Sequence, residues 1–265
     1  MNKTENYTNR IEGHAVVFGA GGIGREIVLA LVASGASAIS YTYGSKKTEA
    51  EALAEELALM GMTKVYYAQL SIPRTDADVP ALAQFLSDAV QANGEEITVA
   101  VNTIGVSPNQ PYEEQMIEGK GGWRDIFEVN VFGSFLIARA VTERMKKYGI
   151  RGSFTAITST NGVNSQAEFS AHYDSSKAAQ WQKLRAIAEP LAQEYGIRVN
   201  GVAPGWIQTS LNDSVPPEEM KREEEKIWLG RVGQPIDVAR VAAFVAGTGG
   251  SYIVGQNIMV DGGYR

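Results

Sequence analysis

A hydroxyl, a phenol and an amine follow one another closely near the middle of the chain. An apolar run over residues 152–158 ends at Ser159, and Tyr173 and Lys177 follow, four positions apart. Within a helix, that spacing places both side chains on one face. The ammonium can then favour the phenolate and lower the pKa of the phenol. A phenol of this kind beside a hydroxyl donor is suited to moving a proton to or from a carbonyl oxygen.

A glycine-rich turn near the N-terminus connects an apolar run to an apolar helical segment. Gly19, Gly21 and Gly24 satisfy the pattern G-x-G-x-x-G in this strand–turn–helix context. Glycines permit a tight turn and close approach of the backbone, and the start of the following helix then faces a pyrophosphate. A merely tight turn is the alternative interpretation. The residues expected to bind a dinucleotide here are Gly19, Gly21, Gly22, Ile23 and Gly24.

The segment after the second apolar run bears on which dinucleotide is used. An acidic residue about 20 positions after the glycine turn would hold the adenosine ribose and favour NAD. Residues 41–47 contain no acid. Arg25, Ser45, Lys46 and Lys47 could instead accept a 2′-phosphate through charge-assisted contacts. The sequence therefore predicts NADP(H) rather than NAD(H), and the alternative is that these lysines are surface residues at the start of a helix.

Short apolar runs alternate with longer stretches of helical periodicity. The predicted strands are residues 14–19, 38–43, 64–68, 97–102, 152–158, 197–203 and 257–260. The predicted helices are residues 23–34, 46–61, 78–92, 123–147, 172–195 and 235–246. This alternation predicts an α/β fold, namely a single doubly wound Rossmann domain with a mostly parallel seven-stranded sheet and helices on both faces.

The same domain, over residues 13–265, is expected to carry the active site, and residues 1–12 are expected to form a disordered tail. Residues 206–230 include a charged run after Pro216 and Pro217, and a long segment of this kind is often a binding loop or lid. A solvated helix face would produce the same charge run, and the two interpretations are compatible. The sequence thus predicts a substrate loop or lid at 206–230.

Composition excludes several classes of function. The net charge of -6 argues against nucleic-acid binding, for which a basic surface is expected. No apolar stretch reaches the length of a membrane span. The absence of cysteine rules out disulfides and fits a reducing compartment, so a cytoplasmic protein is expected. With two histidines and no cysteine, no metal site is expected either.

The order of these motifs resembles that of the classical short-chain dehydrogenases/reductases, and the resemblance spans roughly residues 13–265. It is carried by the glycine turn, Asn102-Thr103-Ile104-Gly105, Asn130, Ser159, Tyr173-x-x-x-Lys177, Asn200-Gly201-Val202-Ala203-Pro204-Gly205 and the tail Val260-Asp261-Gly262-Gly263. Gly230-Arg231 followed by Gln234-Pro235 is similar to the 3-oxoacyl-carrier-protein reductases and their sugar- and steroid-reducing relatives in particular.

The resemblance implies a role for each matched residue. Tyr173 would be the general acid/base, and Lys177 would bind the nicotinamide ribose and lower the tyrosine pKa. Ser159 would bind the substrate carbonyl, and Asn130 would help to hold a water that links Lys177 to solvent. The further cofactor contacts it implies are Arg25, Tyr43, Ser45, Lys46, Gln69, Leu70, Asn102, Gly105, Tyr173, Lys177, Pro204, Gly205, Ile207 and Thr209.

Some positions depart from the family pattern. The turn from Gly19 to Gly22 is one residue short, and Gln69 stands where an adenine-binding Asp is usual. Ser159 precedes Tyr173 by 14 residues rather than the commoner 13, so Thr160 is an alternative carbonyl donor. These changes affect the nucleotide site more than the type of reaction.

The reaction expected from the resemblance is NADPH-dependent reduction of a ketone, or the reverse oxidation of an alcohol. A 3-oxoacyl or polyketide-like ketone is one substrate class, and a steroid or sugar alcohol is another. A nucleotide-binding regulatory protein without chemistry is the alternative from another class, although such proteins usually lack the Tyr or the Lys. Enoyl reductases usually have six residues between the two, whereas this chain has three.

The helical segments at 123–147 and 172–195 carry apolar or small residues on more than one face, which indicates burial beyond the sheet. The resemblance implies that these helices and the C-terminal strand near Ile258 and Val260 build two two-fold interfaces. A homotetramer that acts on a small-molecule substrate is expected.

Overall fold

The computed structural model describes residues 8–164, 168–210 and 215–264. Seven parallel strands form one sheet in the order β3-β2-β1-β4-β5-β6-β7. The strands are β1 His14–Phe18, β2 Ala38–Tyr43, β3 Val65–Gln69, β4 Ile97–Asn102, β5 Ser153–Ile157, β6 Arg198–Pro204 and β7 Asn257–Val260. This confirms the predicted fold class and the number of strands.

Helices cover both faces of the sheet. They are α1 Ile23–Ala33, α2 Lys47–Leu59, α3 Val79–Asn93, α4 Trp123–Phe127, α5 Ser134–Lys147, α6 Asn161–Asn164, α7 Ala171–Tyr195, α8 Pro217–Glu225 and α9 Pro235–Ala246. The predicted helix over 123–147 is divided, because a π-helical segment, Glu128–Gly133, separates α4 from α5. Such segments insert one residue into a helix and often occur at functional sites.

The strands are buried because each face of the sheet packs against helices. Every residue of β1 and of β5 is buried, as expected for parallel strands covered on both sides. One apolar cluster lies between the sheet and α1 and α9, and a second lies between the sheet and α3, α5 and α7.

The strand order reverses between β1 and β4, which are neighbours in the sheet. In open parallel sheets the crevice outside the carboxyl ends of the strands at such a point is the usual ligand site. The glycine turn follows β1 and the segment beginning at Thr103 follows β4, so both lie at this edge. The fold therefore brings the predicted nucleotide-binding turn to the crevice.

The expected tail at 1–12 is wrong for its last residues, which pack against the domain. Ile11 is buried, its N–H donates to Ser34 O, and Asn9 Nδ2 donates to Ala243 O. These contacts join the segment to the ends of α1 and α9 and satisfy carbonyl groups there. Residues 1–7 of the expected tail lie outside the described residues.

The predicted lid at 206–230 contains α8, and residues 211–214 lie outside the described part of the chain. Glu223 of α8 accepts a hydrogen bond from the Tyr264 hydroxyl, and the N–H of Leu229 donates to Gly262 O. The segment is therefore joined to the C-terminal residues. Across the described ranges, the helices fall short of the length and apolar character needed to cross a bilayer.

Candidate active site

The helix α7 carries both Tyr173 and Lys177, one turn apart. Lys177 is 4% exposed, and its ammonium donates to Ile157 O at the end of β5 and to Gln180 Oε1, each at 3.2 Å. Its Nζ lies 5.7 Å from the centre of the Tyr173 ring. The amine and the phenol are thus adjacent at the carboxyl end of β5.

The π-helical segment directs Asn130 toward the same place. Asn130 is fully buried, and its amide exchanges hydrogen bonds of 2.9 Å with the N–H and C=O of Val106. Its Nδ2 also donates to Ser176 Oγ on α7. A Cβ on Gly105 would lie 3.2 Å from Lys177 Nζ and 3.3 Å from Asn130 Oδ1. Gly105 therefore allows the β4 loop to pass directly over these two groups.

Ser159 and Thr160 occupy different positions at the end of β5. The Thr160 hydroxyl donates to Pro204 O at 3.2 Å, so it faces β6. The Ser159 hydroxyl accepts from the N–H of Asn161 and hydrogen-bonds with the Tyr173 phenol. Of the two candidates for the carbonyl donor, the geometry favours Ser159.

The phenol of Tyr173 has two hydroxyl neighbours and one nearby carboxylate. Burial raises the pKa of Tyr173, while hydrogen bonds from Ser159 and from Ser107 lower it and the charge of Asp174 raises it. The expectation that Lys177 lowers this pKa below the ordinary value is therefore not met in the structure, because loss of hydration outweighs the favourable contacts.

The ammonium of Lys177 is itself affected by burial, which lowers its pKa to about 8. Its two partners are neutral oxygens, which cannot compensate for the lost hydration as a carboxylate would. Lys177 therefore holds its proton less firmly than an exposed lysine does. The pKa of a buried ammonium such as this one shifts when a further charge is placed near it.

One side of the glycine turn packs closely against the protein, and the other side is open. A Cβ on Gly24 would lie 1.9 Å from Gly19 O, and one on Gly19, whose φ is +91°, would lie 2.9 Å from Thr103 Oγ1. No atom lies within 4 Å of the corresponding position on Gly21. Glycine is required for the turn to pack against Thr103, while its outer side remains accessible.

The start of α1 has the features of an anion-binding site. Its N-cap residue, Gly22, has no side chain that could cap the helix, and the helix begins at the edge of the sheet where β1 ends, although the N–H of Gly24 already donates to Gly21 O. Asn102 Nδ2 at the end of β4 is buried and has no partner. An open glycine surface, an uncapped helix start and an unpartnered amide at one crevice fit a dinucleotide.

The cations expected near the adenosine end form ion pairs with nearby carboxylates. Lys46 pairs with Glu49 at 2.9 Å and Lys47 with Glu51 at 3.4 Å, and their side chains are 61% and 68% exposed. Arg25 pairs with Glu26 and Glu56. Exposed pairs of this kind contribute about 0–1 kcal/mol, so they can exchange for a stronger anion.

Of the remaining predicted cofactor contacts, some face the crevice and others pack inward. Thr209 lies over the glycine turn, since its Cγ2 would be 3.7 Å from a Cβ on Gly22. Ile207 is 4% exposed, and Leu70 is half-buried and packs against the core. Gln69 is exposed at the end of β3, next to Tyr43 in the neighbouring strand. Ser45 is exposed after β2, and Gly205 and Pro204 lie at the end of β6.

Sequence reasoning missed three polar groups at the site. Ser107 contacts the phenol from the β4 loop, and its position five residues after Asn102 is the only signal that could have indicated it. Gln180 and Lys183 extend from Lys177 along α7. The two follow Lys177 at intervals of three residues, which is ordinary for the polar side of any helix.

The arrangement as a whole defines a doubly wound α/β protein with a Tyr–Lys–Ser–Asn cluster beside a dinucleotide-type crevice. Residues 19–265 match the family model described as "Enoyl-(Acyl carrier protein) reductase". The chain belongs to the short-chain dehydrogenase/reductase family, whose members are oxidoreductases that use a nicotinamide cofactor.

Individual relatives are similar over almost the whole chain. Galactitol 2-dehydrogenase (L-tagatose-forming) of Cereibacter sphaeroides is 32% identical over 260 residues, which is 96% of each chain. L-rhamnose 1-dehydrogenase (NAD(P)(+)) of Azotobacter vinelandii is 31% identical over 258 residues, again 96% of each. A solved 7α-hydroxysteroid dehydrogenase, in complex with NADH and 7-oxo glycochenodeoxycholic acid, has a TM-score of 0.86 and 28% identity, and the match covers 100% of this chain and 98% of that one.

Proposed function

We propose that the protein is an NADP(H)-dependent carbonyl reductase, or alcohol dehydrogenase in the reverse direction, in which Tyr173 is the general acid/base. The observation that carries this proposal is the meeting of the Tyr173 phenol, the Ser159 hydroxyl and the Lys177 ammonium at the carboxyl end of β5. A phenol that can give up a proton, next to a hydroxyl donor, matches what a carbonyl oxygen requires during reduction.

The residues of the chain have separate tasks in this reaction. Gly19–Gly24 and the start of α1 hold the pyrophosphate, and Lys177 binds the nicotinamide ribose. The reduced nicotinamide, when bound, supplies a hydride to the carbonyl carbon. Tyr173 donates the proton to the carbonyl oxygen, and Ser159 donates a hydrogen bond to the same oxygen. In the oxidative direction Tyr173 accepts the proton of the alcohol.

The hydrogen bonds around Ser159 and Asn130 support this assignment. Asn161 donates its N–H to Ser159 Oγ at 3.2 Å and its Nδ2 to Asp174 at 2.8 Å, which links the serine to α7. Asn130 is held on both sides by the backbone of Val106. Such contacts restrict the motion of Ser159, which must meet the reacting oxygen within hydrogen-bond distance, and of Asn130 near Lys177.

Reduction of a C=C bond is disfavoured, although the matched family model carries an enoyl reductase description. In this chain Tyr173 and Lys177 are separated by three residues and lie one turn apart on α7. Several relatives that match over almost the whole chain are named as dehydrogenases of sugar, polyol and steroid alcohols. A sugar or steroid alcohol is therefore the second candidate class of substrate, beside the 3-oxoacyl and polyketide-like ketones.

We expect NADPH to be preferred over NADH by about tenfold or more in kcat/KM, because the 2′-phosphate can form charge-assisted contacts with Lys46, Lys47 and Arg25. The measurement is cofactor oxidation with a panel of ketones, run with each nucleotide. The variant Lys46→Glu plus Lys47→Glu should bring the ratio close to one.

A matched control for this double change is Lys146→Glu plus Lys147→Glu, which reverses two adjacent lysines at the end of α5, away from the crevice. The control should keep the preference of the natural protein. Equal kcat/KM values for the two nucleotides in the natural protein would refute the assignment of NADP(H).

We also propose a homotetramer. Phe132 and Phe135, in the helical region of residues 128–147, are 50% and 38% exposed, and Met259 of β7 is 51% exposed. In β7, the strand expected to form the second interface, Ile258 and Val260 are half-buried against the core of their own subunit, so Met259 is the apolar residue that this strand presents outward.

Light scattering should give a mass about four times the 28.6 kDa of the chain. Phe135→Glu together with Phe132→Glu should reduce the mass to a dimer. A mass of one chain at working concentration would rule the assembly out. A mass twice that of the chain in the unchanged protein would leave only one of the two interfaces.

A further inference from the structure

A row of polar side chains, buried except for the half-buried Lys183 at its end, extends from Lys177 along α7. The Lys177 ammonium donates to Gln180 Oε1 at 3.2 Å, and Gln180 Nε2 donates to Ser134 Oγ of α5 at 3.0 Å. The ammonium of Lys183 donates to the same serine oxygen at 2.8 Å. Gln180 and Ser134 are 0% and 1% exposed. The three α7 residues are spaced by three, which places them along one side of the helix.

The surroundings of this row are apolar. Leu136 and Ile137 of α5 and Leu184 of α7 belong to one buried cluster in the same helix–helix layer. A buried amide or ammonium costs free energy unless it is hydrogen-bonded, whereas an apolar side chain at position 180 could pack in this layer without that requirement. Packing alone therefore does not account for the polar residues of the row.

The direction of each hydrogen bond in the row is determined by chemistry. An ammonium can only donate, so Gln180 must present its carbonyl oxygen to Lys177 and its NH₂ group to Ser134. Ser134 Oγ then accepts from Gln180 on one side and from Lys183 on the other. Because the amide of Gln180 is held at both ends, the acceptor offered to Lys177 has one orientation.

We propose that Gln180 is a positioning residue that orients the Lys177 ammonium, and that Lys183, at the outer end of the Gln180–Ser134 row, is a second titratable group whose protonation is coupled to that of Lys177. The consequence for catalysis rests on the proposed function, in which Lys177 serves the phenol and the cofactor. The coupling between the two lysines does not depend on it.

The two amines lose their protons in neighbouring pH ranges. Burial and the charge of Lys177 together lower the pKa of Lys183 to about 7, while burial lowers that of Lys177 to about 8. When the pH falls through 7, Lys183 becomes charged and disfavours the charged form of Lys177. When the pH rises, Lys183 becomes neutral and Lys177 keeps its proton more readily, until its own pKa is reached.

Other charged groups on the elements packed around α7 have partners of their own. The pairs and contacts are Asp125 and Glu128 with Arg74, Arg139 with Asp76, Arg144 with Glu96, Lys146 with Glu143, Arg198 with the carbonyls at the end of α9, and Asp174 with Asn161. The charge that acts on Lys183 is that of Lys177. The two lysines therefore respond to each other.

The direct test is the titration of Lys177 and Lys183 by NMR, in the complete protein labelled with carbon-13 lysine and without cofactor. The ε-carbon signals of Lys177 and Lys183 are assigned by their loss in Lys177→Met and Lys183→Met. In Lys177→Met the midpoint of Lys183 should rise by about one pH unit, because a like charge has been removed, whereas in Lys183→Met the midpoint of Lys177 should change little, because Lys183 is already neutral at that pH. In Lys183→Arg, which keeps its charge at the pH where Lys177 titrates, the midpoint of Lys177 should fall.

The control is Arg185→Met, which removes one positive charge from an exposed position on the same helix and should leave the midpoints of Lys177 and Lys183 unchanged. A Lys183 midpoint that is the same in Lys177→Met and in the natural protein would overturn the coupling. This result would not depend on whether any ketone is reduced, so it is separable from failure of the proposed function.

The kinetic test addresses Gln180. Gln180→Leu should lower kcat for ketone reduction about tenfold with little change in KM, because the orienting acceptor is lost. Gln180→Glu should restore much of kcat and move the alkaline limb of the pH profile upward, since a carboxylate favours the charged Lys177. Gln182→Leu, at an exposed position on α7, is the control and should behave as the natural protein. If Gln180→Leu changes thermal stability but leaves kcat and the pH profile unchanged, Gln180 has only a structural role and the positioning proposal is wrong.

Discussion

Tyr173→Phe is expected to lower kcat roughly 10³-fold while the dissociation constant for NADPH changes by less than about threefold. General acid/base groups contribute about 10²–10⁴-fold to rate, and this substitution removes only the hydroxyl that carries the proton. The ring and its packing remain, and the glycine turn and α1, which would hold the pyrophosphate, are not altered. The measurement is steady-state kinetics with a ketone substrate, together with fluorescence titration of the cofactor.

Ser159→Ala is a useful comparison because it removes a hydroxyl of the same site that is proposed to donate a hydrogen bond without transferring a proton. Its loss should be smaller than that of Tyr173→Phe. If Tyr173→Phe reduced ketones at the natural rate, another group would supply the proton and the assignment of Tyr173 would have to be abandoned.

Lys177→Met should weaken both turnover and cofactor binding, which separates it from Tyr173→Phe. The ammonium is proposed to bind the nicotinamide ribose and to favour the phenolate, so kcat should fall about 10²-fold and the dissociation constant for NADPH should rise about tenfold. Methionine has a similar length and is compatible with a position that is 4% exposed. A thermal unfolding curve checks that the variant is folded.

In this variant Ile157 O and Gln180 Oε1 lose their donor, so a modest loss of stability is expected along with the kinetic effects. Cofactor affinity equal to that of the natural protein would show that Lys177 does not contact the nucleotide. The double role would then be wrong, even if turnover were lost.

The sheet and the main helices could be predicted because their signal is periodic and local. Strands buried on both faces, such as β1 and β5, appear in the sequence as continuous apolar runs, and the predicted boundaries lie within one or two residues of those observed. The parallel arrangement follows from the alternation with helices. The glycine turn was recognisable because glycine alone permits the close packing of Gly24 on Gly19 O.

Other features depend on contacts between distant residues and could not be predicted. The π-helical segment Glu128–Gly133 does not interrupt the apolar pattern of 123–147, and its effect becomes visible only where Asn130 meets Val106. The burial of Ile11 depends on the ends of α1 and α9. The alternation of residues along β7 indicates that the strand has two different faces, but it does not indicate which face packs against the core. In the structure Ile258 and Val260 face the core and Met259 faces outward.

The electrostatics of the candidate site were the least accessible from sequence. The spacing of Tyr173 and Lys177 indicates proximity and predicts a lowered phenol pKa, but the extent of burial determines the sign of the shift. In the structure, loss of hydration has the largest effect on both groups, so the pKa of the tyrosine is raised and that of the lysine lowered. A single sequence does not state how deeply a side chain is buried.

The most direct test of hydride transfer to a carbonyl is the fate of deuterium carried by the reduced nicotinamide. The protein is incubated with deuterium-labelled NADPH and a substrate that contains both a ketone and a conjugated C=C bond, and the product is examined by NMR and mass spectrometry. The account predicts one deuterium on the carbinol carbon of an alcohol whose C=C bond is intact. Deuterium on the carbon β to an unreduced carbonyl would contradict it and would indicate an enoyl reductase.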